Sequence, residues 1–229
     1  MRNRLHPARC CPTSLPMAYI IKELFATLQG EGAHTGRAAI FCRFAGCNLW
    51  SGREEDRHKA QCNFCDTDFI GTNGPGGGRF AHADSLAEAL ESCWRAHADD
   101  AAHRYVVFTG GEPLLQLDDA LIKATKARGF TLAVETNGTL PAPAGLDWIC
   151  VSPKPGQSLV QTHGHELKLV YPQPSLTPEQ FAGLAFQHFW LQPMDGPERI
   201  ANTRHAVQYC QAHPQWRLSL QTHKLIGIA

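Results

Sequence analysis

The letters CNLW at residues 47–50 and QCNFCDTD at residues 61–68 carry three cysteines with the spacing C-x14-C-x2-C. Three thiolates are one short of the four ligands that a closed structural zinc site requires. They suffice to bind three irons of a [4Fe–4S] cluster and to leave the fourth iron open. We therefore predict an open cluster held by Cys47, Cys62 and Cys65.

An iron without a protein ligand can chelate a small molecule, and the amine and carboxylate of S-adenosylmethionine suit that purpose. Reductive cleavage of this cofactor gives a 5′-deoxyadenosyl radical, so the tasks left to the protein are to orient the cofactor and to exclude water. We interpret the chain as a radical S-adenosylmethionine enzyme.

A second interpretation of the same cysteines is a zinc site. Cys42 lies five residues before Cys47, and together with Cys62 and Cys65 the two could form a four-cysteine zinc site in a binding module. Cys42 belongs to the apolar run AAIFCRF at residues 38–44, where a free cysteine usually behaves as a small buried hydrophobic residue.

Composition limits the classes of function. The formal net charge is zero, so no broad electrostatic field for nucleic acid or a membrane surface is expected. No apolar stretch approaches the roughly 20 residues that span a bilayer. Nine cysteines, an odd number, in a chain without a secretory signal indicate the reducing cytoplasm rather than a disulfide framework. We expect a disordered N-terminal extension over residues 1–16 and one domain over residues 17–229.

Short apolar runs alternate with helical patterns, which predicts parallel strands and right-handed crossovers. Some connections, such as residues 137–147 and 152–166, are too short for a full helix. We expect an α/β fold, an incomplete (β/α) barrel of the radical S-adenosylmethionine type with about six parallel strands and fewer helices than strands. Strands are predicted over residues 19–28, 38–44, 104–108, 130–134, 148–151, 165–170, 189–191 and 216–220, and helices over residues 84–97, 117–128 and 198–212, with a short one from Thr177.

Polar motifs follow several of these strands, at residues 109–111, 135–137, 152–154 and 192–195. Ligands of parallel α/β folds bind at the carboxyl ends of the strands. We therefore expect one mouth that collects these motifs together with the cysteines. In it, the backbone of Gly110 and Gly111 could meet the methionine amine, Glu135 could bind the ribose hydroxyls, and Phe64 offers an apolar face near the adenine.

Two charged residues need an explanation. Glu31 lies between two glycines in QGEG at residues 29–32. It is either a ligand-binding group or a solvated loop carboxylate. Side chains alternate between the two faces of a strand, so the neighbours Cys42 and Arg43 should lie on opposite faces. A buried arginine needs a partner, either an anionic ligand or a carboxylate on a loop. The charged run at residues 53–59 is expected to be solvated.

Several motifs resemble one family. QGEG at residues 29–32, FCRFAGCNLW at 41–50, CNFCDTD at 62–68, TGGEP at 109–113, ETNG at 135–138 and QPMDG at 192–196 are together similar to the 7-carboxy-7-deazaguanine synthase family, over about residues 17–229. The TGGEP motif alone is general to radical S-adenosylmethionine proteins. The spacing C-x14-C-x2-C departs from the commonest C-x3-C-x2-C and is similar to a subset of this family.

The resemblance implies a lyase that contracts 6-carboxy-5,6,7,8-tetrahydropterin to 7-carboxy-7-deazaguanine with loss of ammonia, in queuosine biosynthesis. It implies a [4Fe–4S] cluster, S-adenosylmethionine and Mg2+, a homodimer, and an electron donor such as flavodoxin or ferredoxin. Cys47, Cys62 and Cys65 would hold the cluster, and the Thr67 hydroxyl would bind Mg2+, a cation that prefers oxygen ligands.

The remaining implied contacts divide into two sets. The residues that would contact the substrate are Leu28, Gln29, Gly30, Glu31, Arg43, Thr109, His223 and the terminal carboxylate of Ala229, with Glu31 also the candidate for an acid or base. Those that would surround S-adenosylmethionine are Phe64, Cys65, Asp66, Gly111, Glu135, Ser152, Pro153, Lys154, Gln192, Pro193, Met194 and Asp195.

Another radical S-adenosylmethionine function remains open. An activating enzyme that installs a glycyl radical on a partner protein shares the TGGEP motif. Such enzymes often carry additional ferredoxin-type cysteines, which this sequence lacks.

Overall fold

The structure is a computed structural model and describes residues 18–229, so the extension predicted over residues 1–16 lies outside the described residues. Its strands are β1 (Tyr19–Leu28), β2 (Ala38–Phe44), β3 (Gly78–Phe80), β4 (Tyr105–Gly110), β5 (Thr131–Thr136), β6 (Trp148–Val151), β7 (His163–Tyr171), β8 (Ala185–Pro193) and β9 (Trp216–Leu218). Its α-helices are α1 (Ala83–Arg95), α2 (Asp119–Lys126), α3 (Arg199–Ala212) and α4 (Thr222–Ile226).

All the strands belong to one sheet in the order β3-β1-β2-β4-β5-β6-β7-β8-β9. Seven strands, β2 and then β4 through β9, pair in parallel, one more than the predicted number of about six. The first strand, β1, runs antiparallel to β2 and to β3. Because β3 and β9 remain edges, the sheet is an open, incomplete barrel, which confirms the predicted fold class.

Helices are fewer than strands among residues 18–229, as the short connections predict. No α-helix occurs between β5 and β6 or between β6 and β7. The short helix expected from Thr177 is a single 3-10 turn at Pro178–Gln180. Within the described part of the chain, every helix is too short or too polar to cross a membrane.

The pleat of the strands separates the hydrophobic core from an inner face. On β2, Ile40, Cys42 and Phe44 are fully buried and pack in one cluster with Leu86 and Leu90 of α1. A second cluster packs α3 against β7, β8 and β9. The alternate residues of β2, β4 and β5 face inward, apolar at the amino ends of the strands and polar at the carboxyl ends. The polar ends therefore meet at one edge of the sheet.

We predict that Leu90→Ala lowers the free energy of unfolding by about 2–5 kcal/mol, because its side chain is fully buried between α1 and the sheet and its loss leaves a cavity. Urea denaturation of the protein without cofactors measures the change. The matched control is Glu88→Ala, an exposed position on the same helix, with a change of at most about 0.5 kcal/mol. Equal effects of the two substitutions would contradict the described packing of α1.

Candidate active site

A cavity of about 400 Å³ opens at the carboxyl ends of the parallel strands. Its volume lies within the range of small-molecule sites, roughly 300–1,000 Å³. All of the predicted substrate contacts line it, namely Leu28, Gln29, Gly30, Glu31, Arg43, Thr109, His223 and Ala229. The predicted cofactor contacts line it as well, with the exception of Pro153, which borders a smaller neighbouring pocket with Asn137 and Phe181. The fold thus brings the two predicted sets together.

The three cysteines lie on two loops beside this cavity. Cys62 and Cys65 line it, whereas Cys47 lies behind Gly111, where an added Cβ would come within 2.7 Å of the Cys47 Cβ. That approach requires glycine at residue 111. Thr67, the predicted Mg2+ ligand, also lines the cavity.

The segment between Cys47 and Cys62 stabilises the two cysteine loops. The run at Glu54–Lys59 forms a 3-10 helix without buried residues, in accord with a solvated segment. Arg57 nevertheless has a definite role: its Nη1 donates to the carbonyls of Asn63 and Cys65, at 2.9 and 3.0 Å. Its guanidinium also lies over the Trp50 ring, 4.3 Å from the centroid. This side chain therefore ties the second cysteine loop to the first.

The electrostatics favour the thiolate at Cys65 and oppose it at Cys47 and Cys62. A hydrogen bond from Cys62 lowers the pKa of the Cys65 thiol and raises that of Cys62, and the Lys154 charge lowers both. Burial raises the pKa of Cys47, but its sulfur accepts a hydrogen bond from the backbone N–H of Leu49 at 3.4 Å. Hydrogen bonds to sulfur and a nearby cation stabilise cluster thiolates.

No set of three or more His, Cys, Asp or Glu side chains among residues 18–229 is arranged to bind a single metal ion. A four-iron cluster makes a different demand, because each thiolate binds a different iron and the three sulfurs need not converge on one point. The thiols of Cys47, Cys62 and Cys65 lie close enough to affect one another's pKa, as ligands of one cluster would.

Cys42 cannot complete a four-sulfur site with them in this arrangement. Its side chain is fully buried in the core cluster between the sheet and α1, and burial raises its pKa strongly. Arg43, the next residue, lines the cavity on the opposite face of β2. The four-cysteine zinc alternative is therefore wrong, and Cys42 is a core residue.

Glu31 is not a solvated loop carboxylate. Its side chain is 16% exposed and accepts a hydrogen bond from the Lys168 ammonium at 2.5 Å. Gln192 and Gln221 donate to its other oxygen at 3.1 and 3.2 Å. Burial favours a raised pKa, but the Lys168 charge and these hydrogen bonds hold the pKa of Glu31 below its ordinary value.

Arg43 has a partner of its own in the protein. Its Nε donates to Oε1 of Glu23 at 2.7 Å, and both residues line the cavity. The partner lies on strand β1, not on a loop as one of the alternatives required. A second pair supports the Thr67 loop, since the buried Lys22 ammonium donates to Asp68 at 2.6 Å, to the Ile70 carbonyl and to Asn73.

The C-terminal segment closes one side of the cavity. Lys224 of α4 donates to Asp66 at 2.5 Å and to Asp195 at 2.7 Å. The backbone N–H of Thr222 donates to the Gly30 carbonyl at 3.0 Å, and a Cβ at Gly30 would lie 2.2 Å from the His223 ring. Burial lowers the pKa of His223. The C-terminal segment is thus fixed to the loops that carry Gly30, Asp66 and Asp195.

Sequence reasoning missed Lys22, Lys168, Gln221 and Lys224, all of which line the cavity. Lys168 could have been found, because it is the single charge in the run LKLV at residues 167–170 and the argument applied to Arg43 applies equally to it. Lys22 lies in a similar run, IIKELF at residues 20–25. The contacts of Lys224 depend on tertiary structure and have no comparable local signal.

We predict that Cys65→Ala abolishes stable iron and sulfide binding after anaerobic reconstitution, because it removes one of three cluster ligands. Cys42→Ala, a change of the same chemistry in the core, should leave iron and sulfide per chain unchanged. Metal analysis and the visible absorption spectrum measure both. Loss of the cluster in Cys42→Ala, with the protein still folded, would restore the four-cysteine interpretation.

We predict that Lys224→Gln loosens the C-terminal segment, because it removes the ion pairs to Asp66 and Asp195. Hydrogen exchange should accelerate at the Ile228 N–H, which donates to the His223 carbonyl at 3.1 Å, while the β4 and β5 amides exchange as before. The control is Lys126→Gln, which removes an exposed ion pair with Asp147, far from the C-terminal segment in the sequence. Unchanged exchange at Ile228 would show that Lys224 does not hold the tail.

Comparison with known proteins shows the family of this chain. The sequence model of the Radical SAM superfamily matches residues 58–161. The 7-carboxy-7-deazaguanine synthase of Bordetella pertussis is 69% identical over 212 residues, 93% of this chain and 100% of that protein. The synthase of Bacteroides thetaiotaomicron is 40% identical over 91% of this chain and 97% of its own.

A solved structure is also similar. The crystal structure of QueE from Escherichia coli superposes with a TM-score of 0.63 at 27% identity, covering 90% of this chain and 95% of that one. As its motifs predict, the chain belongs to the 7-carboxy-7-deazaguanine synthase family.

Proposed function

We propose that this protein is a radical S-adenosylmethionine lyase that converts 6-carboxy-5,6,7,8-tetrahydropterin to 7-carboxy-7-deazaguanine with release of ammonia, a step of queuosine biosynthesis. The observation that carries the proposal is the cavity of about 400 Å³ at the strand ends, where the cysteine loops meet a set of buried polar side chains. The names of the similar proteins support the same reaction.

Cys47, Cys62 and Cys65 would hold the [4Fe–4S] cluster, and its open iron would bind S-adenosylmethionine. Held there, the cluster and this cofactor would supply one-electron, hydrogen-abstracting chemistry. The surrounding residues bind and orient. Gly111 brings its backbone close to Cys47, Glu135 offers a carboxylate for ribose hydroxyls, and Phe64 offers an apolar ring.

The opposite part of the cavity suits a carboxylated pterin. Glu31 has a lowered pKa, so at neutral pH it is an anionic acceptor for the N–H edge of a pterin ring. Arg43, His223 and Thr109 supply hydrogen-bonding groups for the rest of the molecule. The substrate carboxylate and the Thr67 hydroxyl would be oxygen ligands of Mg2+.

Several further features belong to the same proposal. An electron donor such as flavodoxin or ferredoxin would supply the single electron that each cofactor cleavage requires. We also propose a cytoplasmic homodimer in which residues 17–229 form one domain. The nine-stranded sheet that runs through the described residues supports the single domain, and the zero net charge accords with a small-molecule substrate rather than nucleic acid.

The glycyl-radical activating enzyme is the competing function. It would require a surface that admits a partner's peptide segment, whereas the cavity here is lined by paired charges, Arg43 with Glu23 and Lys168 with Glu31. Such a site suits a small polar molecule.

We predict that the anaerobically reconstituted, reduced protein converts the tetrahydropterin to a product with the mass of 7-carboxy-7-deazaguanine, together with 5′-deoxyadenosine. Mass spectrometry measures both. Omission of S-adenosylmethionine should abolish both products, and omission of Mg2+ should slow the reaction. Formation of 5′-deoxyadenosine with no pterin-derived product, from protein with a full cluster, would contradict the proposed function and favour the activating enzyme.

A further inference from the structure

Lys168 is buried in the floor of the cavity between two carboxylates. Its side chain is 7% exposed, and its ammonium donates to Oε2 of Glu31 at 2.5 Å and to Oε2 of Glu135 at 3.0 Å. A buried ammonium is stable only when its hydrogen bonds and its charge are satisfied. Both partners line the cavity, and neither is a neighbour of Lys168 in sequence.

The two carboxylates belong to different parts of the site. Glu31 follows β1 beside the residues that would contact the substrate, and Gln192 and Gln221 donate to its second oxygen. Glu135 lies on β5 on the cofactor side, and Gln29 donates to its second oxygen at 3.4 Å. Among residues 18–229, the Lys168 ammonium alone bonds to both carboxylates, and neither proposed set of ligand contacts includes it.

We propose that Lys168 is a positioning residue, whose ammonium fixes Glu31 and Glu135 relative to each other so that substrate and cofactor are held in a defined arrangement across the cavity. The inference rests on the proposed function and assigns a role to a residue within that site.

The groups around Lys168, Glu31 and Glu135, here called the triad, determine the charge of each of its members. The titratable groups that face it come from every neighbouring element: Glu31 from the loop after β1, Glu135 from β5, Cys150 from β6, Glu166 from β7 and His223 from α4. Burial opposes the charge of Lys168, but the acidic groups around it hold its pKa well above the ordinary value. The ammonium is therefore protonated throughout the working pH range.

The two carboxylates differ in the direction of their pKa shifts. Burial raises the pKa of Glu135 despite the Lys168 charge, and Glu31 and Glu166 raise it further. The pKa of Glu31 is instead held below its ordinary value by Lys168 and its hydrogen bonds. Lys168 thus keeps Glu31 an anionic acceptor next to a second carboxylate that would otherwise favour its protonation.

Removal of the Lys168 charge has a predictable direction. In the wild type, the depressed pKa keeps Glu31 ionised as the pH falls, so substrate binding through this carboxylate persists into the acid range. In Lys168→Met, burial and the neighbouring Glu135 carboxyl act on Glu31 with only its two glutamine hydrogen bonds and His223 left to oppose them, and its pKa rises. The acid limb of substrate binding should therefore move to higher pH.

The experiment measures substrate binding separately from turnover. Anaerobic calorimetry with the oxidised, cluster-loaded holoenzyme and S-adenosylmethionine gives the Kd of the tetrahydropterin between pH 5 and pH 8. We expect Lys168→Met to weaken binding at least about tenfold at pH 7 and to move the acid limb upward by at least about one pH unit. Lys168→Gln, also neutral, is measured beside it in case the Met variant does not fold.

Three further variants separate positioning from general damage. Lys126→Met makes the same substitution at an exposed ion pair and should leave both Kd and its pH dependence unchanged. Lys168→Arg keeps the charge and should restore the wild-type acid limb. Glu31→Gln combined with Lys168→Met should weaken binding little more than Glu31→Gln alone, because the lysine acts through this carboxylate.

The outcomes distinguish the two claims. A folded neutral variant at residue 168 with wild-type affinity and pH dependence would overturn the positioning role and leave the proposed function intact. A wild-type holoenzyme that binds S-adenosylmethionine but not the tetrahydropterin would overturn the proposed function, and the positioning role with it.

Discussion

The pairing of buried charges at the carboxyl ends of the parallel strands is the constraint on which the site depends. A charge taken out of water needs a partner with good geometry. The cavity meets this requirement with Lys168 between Glu31 and Glu135, and with Arg43 on Glu23. Because these pairs lie on different strands and loops, they hold the elements around the cavity in place. The parallel arrangement brings the carboxyl ends of β2, β4 and β5 to one edge of the sheet, whereas Glu31 reaches the cavity from the loop after the antiparallel β1, whose end pairs with the start of β2.

The alternation of side chains along each strand separates stability from chemistry. Cys42 and Arg43 are adjacent, yet the first is fully buried in the outer core and the second lines the cavity. The outer face packs against α1, α2 and α3, whereas the inner face is free to carry charges. The same pleat excludes Cys42 from the group of cysteines at the mouth. Cys47, Cys62 and Cys65 remain at the mouth, and three thiols are the number that leaves one iron of a cluster available to a cofactor.

Local patterns were sufficient for much of the fold and for the location of the site. The predicted bounds of β1 and β2 agree with the structure, and the polar motifs after successive strands meet in one cavity. The number of parallel strands was underestimated, and the partner of Arg43 was not foreseen on β1. Lys224 bridges Asp66 and Asp195, which lie 158 and 29 positions away along the chain, so periodicity carries no signal for it. Pairing between distant charges is a property of the tertiary structure.

The open iron of the cluster is the central claim, and electron–nuclear double resonance of the reduced, reconstituted protein with S-adenosylmethionine labelled with 15N at its amino group tests it most directly. An open iron predicts a hyperfine coupling from the labelled nitrogen, large enough to require its direct bond to iron, in the wild type and in a Cys42→Ala variant alike. A cluster that shows no coupling to the bound cofactor, because all four irons are ligated by protein, would contradict the account.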